Sequence, residues 1–155
     1  MKAIDRLKEL HLDYMGIRNP NYPRAYMKAY SKKPSDTNGL TNCVTDFLTF
    51  SGWHCERTGN EGRTVDDTQI VTDYLGRTKK IGSVKRIPSQ ATLGTSDLKA
   101  CIMGKFIAIE IKFGKDRQSD VQKNYEQAVT EAGGEYLIVR TLDDFVIWFD
   151  QFIIK

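Results

Sequence analysis

Residues 106–113 read Phe-Ile-Ala-Ile-Glu-Ile-Lys-Phe, and no other stretch constrains the fold as strongly. Alternation along a strand sends Ile107, Ile109, Ile111 and Phe113 to one face and Ala108, Glu110 and Lys112 to the other. The first face is core. The second sets an acid beside a lysine on a strand otherwise built for burial, where a charge is costly unless it is paired or binds a metal. Two readings follow from these residues: a Glu110–Lys112 ion pair, or a site that uses both charges.

The flanking pattern supplies the layers around that strand. Leu40, Val44, Phe47 and Leu48 predict a helix over 38–51, capped by Asp36 or Thr37 and ended by Gly52. Residues 53–58 read as a strand. Residues 97–102 and 105–113 read as two strands joined at Met103-Gly104. Ser119 is placed to cap a helix whose face is Val121, Tyr125, Ala128, Val129 and Ala132, stopped by Gly133-Gly134. Tyr136-Leu137-Ile138-Val139 predicts a strand buried on both faces. Thr141 to Asp144 opens a last helix with Leu142, Phe145, Val146, Phe149 and Phe152 inward. Residues 65–87 read as a long hairpin around Tyr74-Leu75-Gly76-Arg77. The order predicts an α/β fold, a mixed sheet flanked by helices, with a hairpin inserted at about 65–87.

Ahead of this lies a segment of different composition. The chain has 155 residues and a net charge of +3, yet residues 1–35 hold eight Lys or Arg against three acids. Ile4, Leu7, His11 and Tyr14 predict a helix over 3–15, broken by Gly16, Pro20 and Pro23. Pro23 is placed to start a second helix over 24–30, with Tyr22, Tyr26 and Tyr30 toward the body and Arg24, Lys28 and Lys32 outward. Residues 1–35 therefore read as a basic helical arm and 36–155 as the core. A second basic cluster holds Arg77, Lys79, Lys80, Lys85 and Arg86. Two such clusters point to a polyanionic partner, nucleic acid first. No apolar run approaches the ~20 residues that cross a bilayer, so no membrane is expected. The first ten residues carry five charges and no leader core is expected. Three scattered cysteines suit a reducing cytoplasm rather than a disulfide framework.

Asp97 sharpens the reading of Glu110 and Lys112. It follows Gly94-Thr95-Ser96 and begins the strand that folds back beside residues 105–113. Two carboxylates and a lysine then converge. With the Ile111 carbonyl, the carboxylates form a hard oxygen site suited to Mg²⁺ or Mn²⁺. Lys112 is placed to orient a water and stabilise charge on a phosphate oxygen, a constellation suited to phosphodiester hydrolysis. His54-Cys55 and Cys43 lack the spacing of a zinc site.

Gly94-Thr95-Ser96-Asp97 followed, after twelve residues, by Glu110-Ile111-Lys112 resembles the D…(D/E)xK signature of the PD-(D/E)XK nuclease superfamily. Gly114, Ser119-Asp120-Val121-Gln122 and Gly133-Gly134 are similar to its VRR-NUC branch, over about residues 37–150. The resemblance implies a restriction-endonuclease-like core of αβββαβ order and a Mg-dependent endodeoxyribonuclease, with branched or nicked DNA among the candidate substrates. Small nucleases of this kind are encoded by phages and bacterial mobile elements, which implies a bacterial or phage-infected cytoplasm. Asp97 and Glu110 would hold the metal, Lys112 would serve the water, and Gln122 would support the site from its helix. Lys115 and Arg117 would hold phosphates, together with the two basic clusters.

One departure stands out. The acid often found on the first core helix has no counterpart at Asn38, Thr41 or Asn42, and Asp36 and Asp46 lie to either side of that position. One metal or two, DNA or RNA, and endo- or exonuclease action are left open. Two other functions remain: a non-catalytic nucleic-acid-binding module of the same fold, and an assembly or regulatory protein that binds a partner, or a second copy of itself, through its N-terminal helix.

Overall fold

A computed structural model describes residues 1–59, 62–87 and 92–154. The chain divides into two compact units, Met1–Thr58 with Leu93–Lys155, and Gly59–Thr92.

The first unit is a mixed α/β structure. Its helices are α1 (Ala3–Arg18), α2 (Thr37–Phe50), α3 (Asp120–Glu131) and α4 (Leu142–Ile154). Four strands within residues 63–87 belong to the other unit, so the strands here are β1 (His54–Arg57), β6 (Leu98–Ile102), β7 (Lys105–Ile111) and β8 (Glu135–Val139). They form one sheet in the order β1-β6-β7-β8, with β7 and β8 parallel and the other pairs antiparallel. The β6–β7 turn places Met103 and Gly104 at φ 52° and 78°, the two successive positive values of a tight hairpin turn. That turn fixes the register Leu98↔Ile109.

The core lies on one side of the sheet. Ile107, Ile109 and Ile111 meet Leu40, Val44, Phe47 and Leu48 of α2 and Phe145 and Phe149 of α4. Phe47 packs edge-on against Phe145 and Phe149. Asp36 caps α2 by accepting from the Gly39 N–H at 2.7 Å. The other side of the sheet belongs to α3.

Several elements differ from the sequence reading. Helix α1 runs through Gly16 to Arg18, so Pro20 rather than Gly16 ends it. Its Leu7 is fully buried, Arg6 bonds Asp150 at 2.7 Å, and Asp143 accepts from the Ala3 N–H. The apolar face of α1 is thus covered by the unit's own helices. No helix forms over 24–30. Only a 3₁₀ turn, Arg24–Tyr26, is present, and Met27 is already extended at ψ 139°. Tyr22 and Tyr26 are exposed. Tyr30 alone packs, against His11 and Phe50, and its hydroxyl donates to Asp46 at 2.7 Å. Anchoring at Tyr30 and Lys32 asks for an extended span, which a helix cannot supply. Strand β8 is at the sheet edge and mostly half-buried, because the sheet stops at four strands. On α3 only Val129 is buried, while Val121 is exposed. No helix among the described residues is long and apolar enough to cross a membrane.

The second unit is a long two-stranded ribbon. Strands β2 (Arg63–Asp66) and β5 (Val84–Ile87) pair antiparallel, as do β3 (Gln69–Thr72) and β4 (Thr78–Ile81). The two ladders continue the same hairpin, interrupted at residues 67–68 and 82–83. The tip is tied by Asp73, which accepts from the Leu75 and Arg77 N–H groups at 2.9 Å. Residues 60 and 61 of the preceding loop lie outside the described residues.

Candidate active site

Leu98 faces Ile109 across the β6–β7 ladder, so Asp97, one residue earlier, falls opposite Glu110. Its Oδ2 accepts from the Ile111 N–H at 2.9 Å, which holds the carboxylate against the end of β7. The turn before it is equally constrained. Gly94 has φ +76°, and a Cβ there would collide with the Val121 carbonyl oxygen at the start of α3. Close approach of this turn to α3 thus requires glycine. Gly94→Ala is expected to destabilise by about 2–3 kcal/mol, from strain at positive φ plus the backbone clash. Chemical denaturation of the two proteins checks this, and a change below about 0.5 kcal/mol would mean that the turn stands off α3.

Glu110 is 2% exposed, and Lys112 Nζ lies 2.8 Å from its Oε1. The third member comes from α3. Gln122 Nε2 donates to Glu110 Oε1, and Gln122 Oε1 accepts from Lys112 Nζ at 3.0 Å. The same Oε1 accepts from the Ser119 N–H at 2.9 Å, completing the capping box of α3. One amide therefore caps its helix and orients both charged groups. Burial raises the pKa of Glu110, and the charge of Asp97 adds to this, against the opposing pull of Lys112 and Tyr136. Tyr136 donates to Glu110 Oε2 at 3.5 Å. Its own pKa is raised by burial first and then by the Glu110 charge.

Asp97, Glu110, Lys112 and Gln122 are thus brought together. Tyr136 was not anticipated. Alternation on β8 puts it on the same face as Ile138, but only the parallel register Glu110↔Ile138 brings that face to Glu110. No local signal carries this register.

The residues considered for a first-helix ligand are engaged in other bonds. Asp36 caps α2, and Asp46 is bonded to Tyr30 and Lys32. Among the described residues no group of three or more His, Cys, Asp or Glu is placed to hold a metal. Two carboxylates of like charge at a partly buried site do fit a single hard cation that draws its remaining ligands from water and a phosphate, as Mg²⁺ commonly does.

The basic residues divide into two groups. Arg24 pairs with Glu9 at 2.9 Å and also with Asp13. Lys32 pairs with Asp46 at 2.7 Å, and Arg77 with Asp73 at 2.8 Å. Lys28, Lys79, Lys80, Lys115 and Arg117 make no ion pair among the described residues and are exposed. Lys115 and Arg117 lie in the loop between β7 and α3, beside the site. Comparison with known proteins finds no matching family model and no matching curated protein.

Proposed function

We propose that the chain is a metal-dependent nuclease of the PD-(D/E)XK superfamily, similar to its VRR-NUC branch, that hydrolyses DNA phosphodiester bonds. The observation that carries this reading is the meeting of Asp97, Glu110 and Lys112 at the end of two paired strands, with Gln122 bonded to both members of the ExK pair. The order α2-β1-β6-β7-α3-β8, with the ribbon inserted between β1 and β6, supports a restriction-endonuclease-like core of αβββαβ order.

Asp97, Glu110 and the Ile111 carbonyl would hold Mg²⁺ or Mn²⁺, which when bound lowers the pKa of a water and neutralises charge on a phosphoryl oxygen. The protein's own groups do the positioning. Lys112, on the same face of β7 as Glu110, would supply a cation to the attacking water or to the non-bridging oxygen. Gln122 keeps Lys112 from swinging away, since its Oε1 is fixed by the Ser119 N–H. Lys115 and Arg117 neutralise flanking phosphates, which sets the strand's position rather than its sequence.

Purified protein incubated with supercoiled, linear and branched DNA, in Mg²⁺, Mn²⁺ or EDTA, tests the reading. Cleavage is expected with metal and none with EDTA. A non-catalytic nucleic-acid-binding module is the second reading, favoured by the engagement of Asp36 and Asp46 in other bonds. It predicts binding without cleavage in either metal.

Exposed, unpaired cations should dominate affinity for nucleic acid. Replacing Lys79 and Lys80 of β4 by Ala is expected to reduce the slope of log K against log[salt] by about 1.8, at roughly 0.9 per lost phosphate contact. The same change at Arg77, already paired with Asp73, should have a smaller effect. An unchanged slope in the Lys79/Lys80 variant would remove the ribbon from the interface.

A further inference from the structure

A cavity of about 540 Å³ opens in the first unit beside the starts of α1 and α4. Its volume falls within the ~300–1,000 Å³ of small-ligand pockets. None of Asp97, Glu110, Lys112 or Gln122 lines it. Phe113 does, and it packs with the core against which Ile109 and Ile111 lie, whereas Lys112 is turned to α3. The cavity and the Glu110 cluster therefore use opposite faces of the sheet.

Its walls have two characters. Ile4, Pro34, Leu142 and the rings of Tyr30 and Phe113 give an apolar interior. Tyr30 is a rigid wall, held by Asp46 at 2.7 Å and packed against His11 and Phe50. The rest of the lining includes five cations and one acid. Lys8 and Lys32 are already paired, with Asp5 and Asp46, and the acid, Asp143, is engaged by the Ala3 N–H. Lys2 and Lys33 make no ion pair among the described residues. Among the described residues Arg140 donates to the Asp116 backbone carbonyl, at 3.2 Å, and makes no ion pair. Three cations thus line an apolar, aromatic-walled cavity without an ion-pair partner among the described residues, against the single carboxylate of Asp143. The first turns of α1 and α4 border the same space, and each carries its own acid, Asp5 in α1 and Asp143 and Asp144 in α4.

We infer that this cavity is a nucleotide-binding site, with the base between the aromatic and aliphatic walls and the phosphate on Lys2, Lys33 and Arg140. A planar base suits aromatic walls, where stacking supplies affinity without sequence preference. A phosphate suits clustered donors with unsatisfied charge. A free nucleotide and the terminal nucleotide of a strand share this chemistry. The inference does not rest on the hydrolytic reading, because binding can be measured in EDTA, where no cleavage occurs.

Isothermal titration of the full chain in EDTA with deoxyadenosine 5′-monophosphate, deoxyadenosine and inorganic phosphate tests it. The monophosphate is expected to bind at least about tenfold more tightly than either fragment, and Lys33→Glu to weaken it by about tenfold or more. Lys2→Glu, also on an exposed side chain, should do the same, which covers the case in which one variant folds poorly. A 5′-phosphorylated tetranucleotide that displaces the monophosphate assigns the cavity to a strand terminus. Failure to displace assigns it to the free nucleotide, and both results support the site. The inference is overturned if the monophosphate fails to bind, if it binds no more tightly than phosphate alone, or if both charge reversals leave its affinity unchanged in folded protein.

Discussion

Asp97→Asn and Glu110→Gln should each reduce DNA cleavage on the order of a thousandfold, the scale of losing one preorganised charge-stabilising group. Both substitutions keep the size and most hydrogen bonds of the side chain. An asparagine at position 97 can still accept from the Ile111 N–H, as Asp97 does at 2.9 Å, and a glutamine at position 110 can still accept from Lys112 and Gln122. What each removes is a negative charge at a two-carboxylate site, and with no group of three or more His, Cys, Asp or Glu placed to hold a metal among the described residues neither loss can be made up. Rates under single turnover with saturating enzyme would show it. A loss below about tenfold in either variant would mean that the carboxylate is structural, since one ligand of two is worth far more.

The second large effect is on stability. Glu110 and Lys112 form a buried ion pair at 2.8 Å, with side chains 2% and 10% exposed. Breaking such a pair by removing one partner typically costs ~3–5 kcal/mol, whereas replacing both is near neutral. Lys112→Met removes the cation bonded to Glu110 and leaves its carboxylate beside Asp97, so it should destabilise by about 3 kcal/mol. Glu110→Gln leaves Lys112 with the Gln122 Oε1 acceptor at 3.0 Å and removes a carboxylate whose charged form is disfavoured. It should change stability by less than about 1 kcal/mol. The double variant should recover most of the Lys112→Met loss, a coupling of about 2 kcal/mol.

The pH dependence has a definite sign. Because the Glu110 pKa is raised in the folded protein, the folded state holds that proton more tightly than the unfolded chain does. Its favourable contribution is complete below the unfolded carboxylate value and is lost as pH rises through the folded value. Relative to wild type, Glu110→Gln should therefore gain stability as pH rises across that range. Melting curves in EDTA from acid to neutral pH check both the order of the variants and this trend. Additive losses in the double variant would show that the two groups are not coupled.

The parts of the fold legible in the sequence are those in which one residue's neighbours along the chain decide its environment. Alternation over 106–113 placed Glu110 and Lys112 on one face. Helical spacing placed Phe145, Val146 and Phe149 inward, and all three are buried. Ser119 ahead of the helical spacing is a local capping signal, and its side chain does cap α3. The return bond from Gln122 that completes the box was not read from the sequence. What was not legible depends on partners far along the chain. Asp46 looks like any helix acid until Tyr30 and Lys32 are seen to bond it. The tyrosine spacing at 22, 26 and 30 suggested a helix, but only Tyr30 found an apolar wall, and without burial the intervening residues had no reason to coil. Gly16 stays helical because α1 is held along its length by packing on α2 and by the Arg6–Asp150 bond, which outweighs the ~1 kcal/mol propensity cost of one glycine. Strand β8 reads as fully apolar but lies at an edge, since residue type does not report how many strands a sheet has.

The central claim is that Asp97, Glu110 and Lys112 act as one hydrolytic site, and Lys112 separates it most cleanly from a structural ion pair. Wild type and Lys112→Met should be compared on supercoiled DNA in Mg²⁺ and in EDTA, below the melting temperature of both. Bound and cleaved fractions should be read from the same reactions. The account predicts that wild type cleaves in Mg²⁺ only, while Lys112→Met binds DNA to a similar extent and does not cleave it. Equal cleavage by the two proteins, or cleavage by wild type in EDTA, would contradict it.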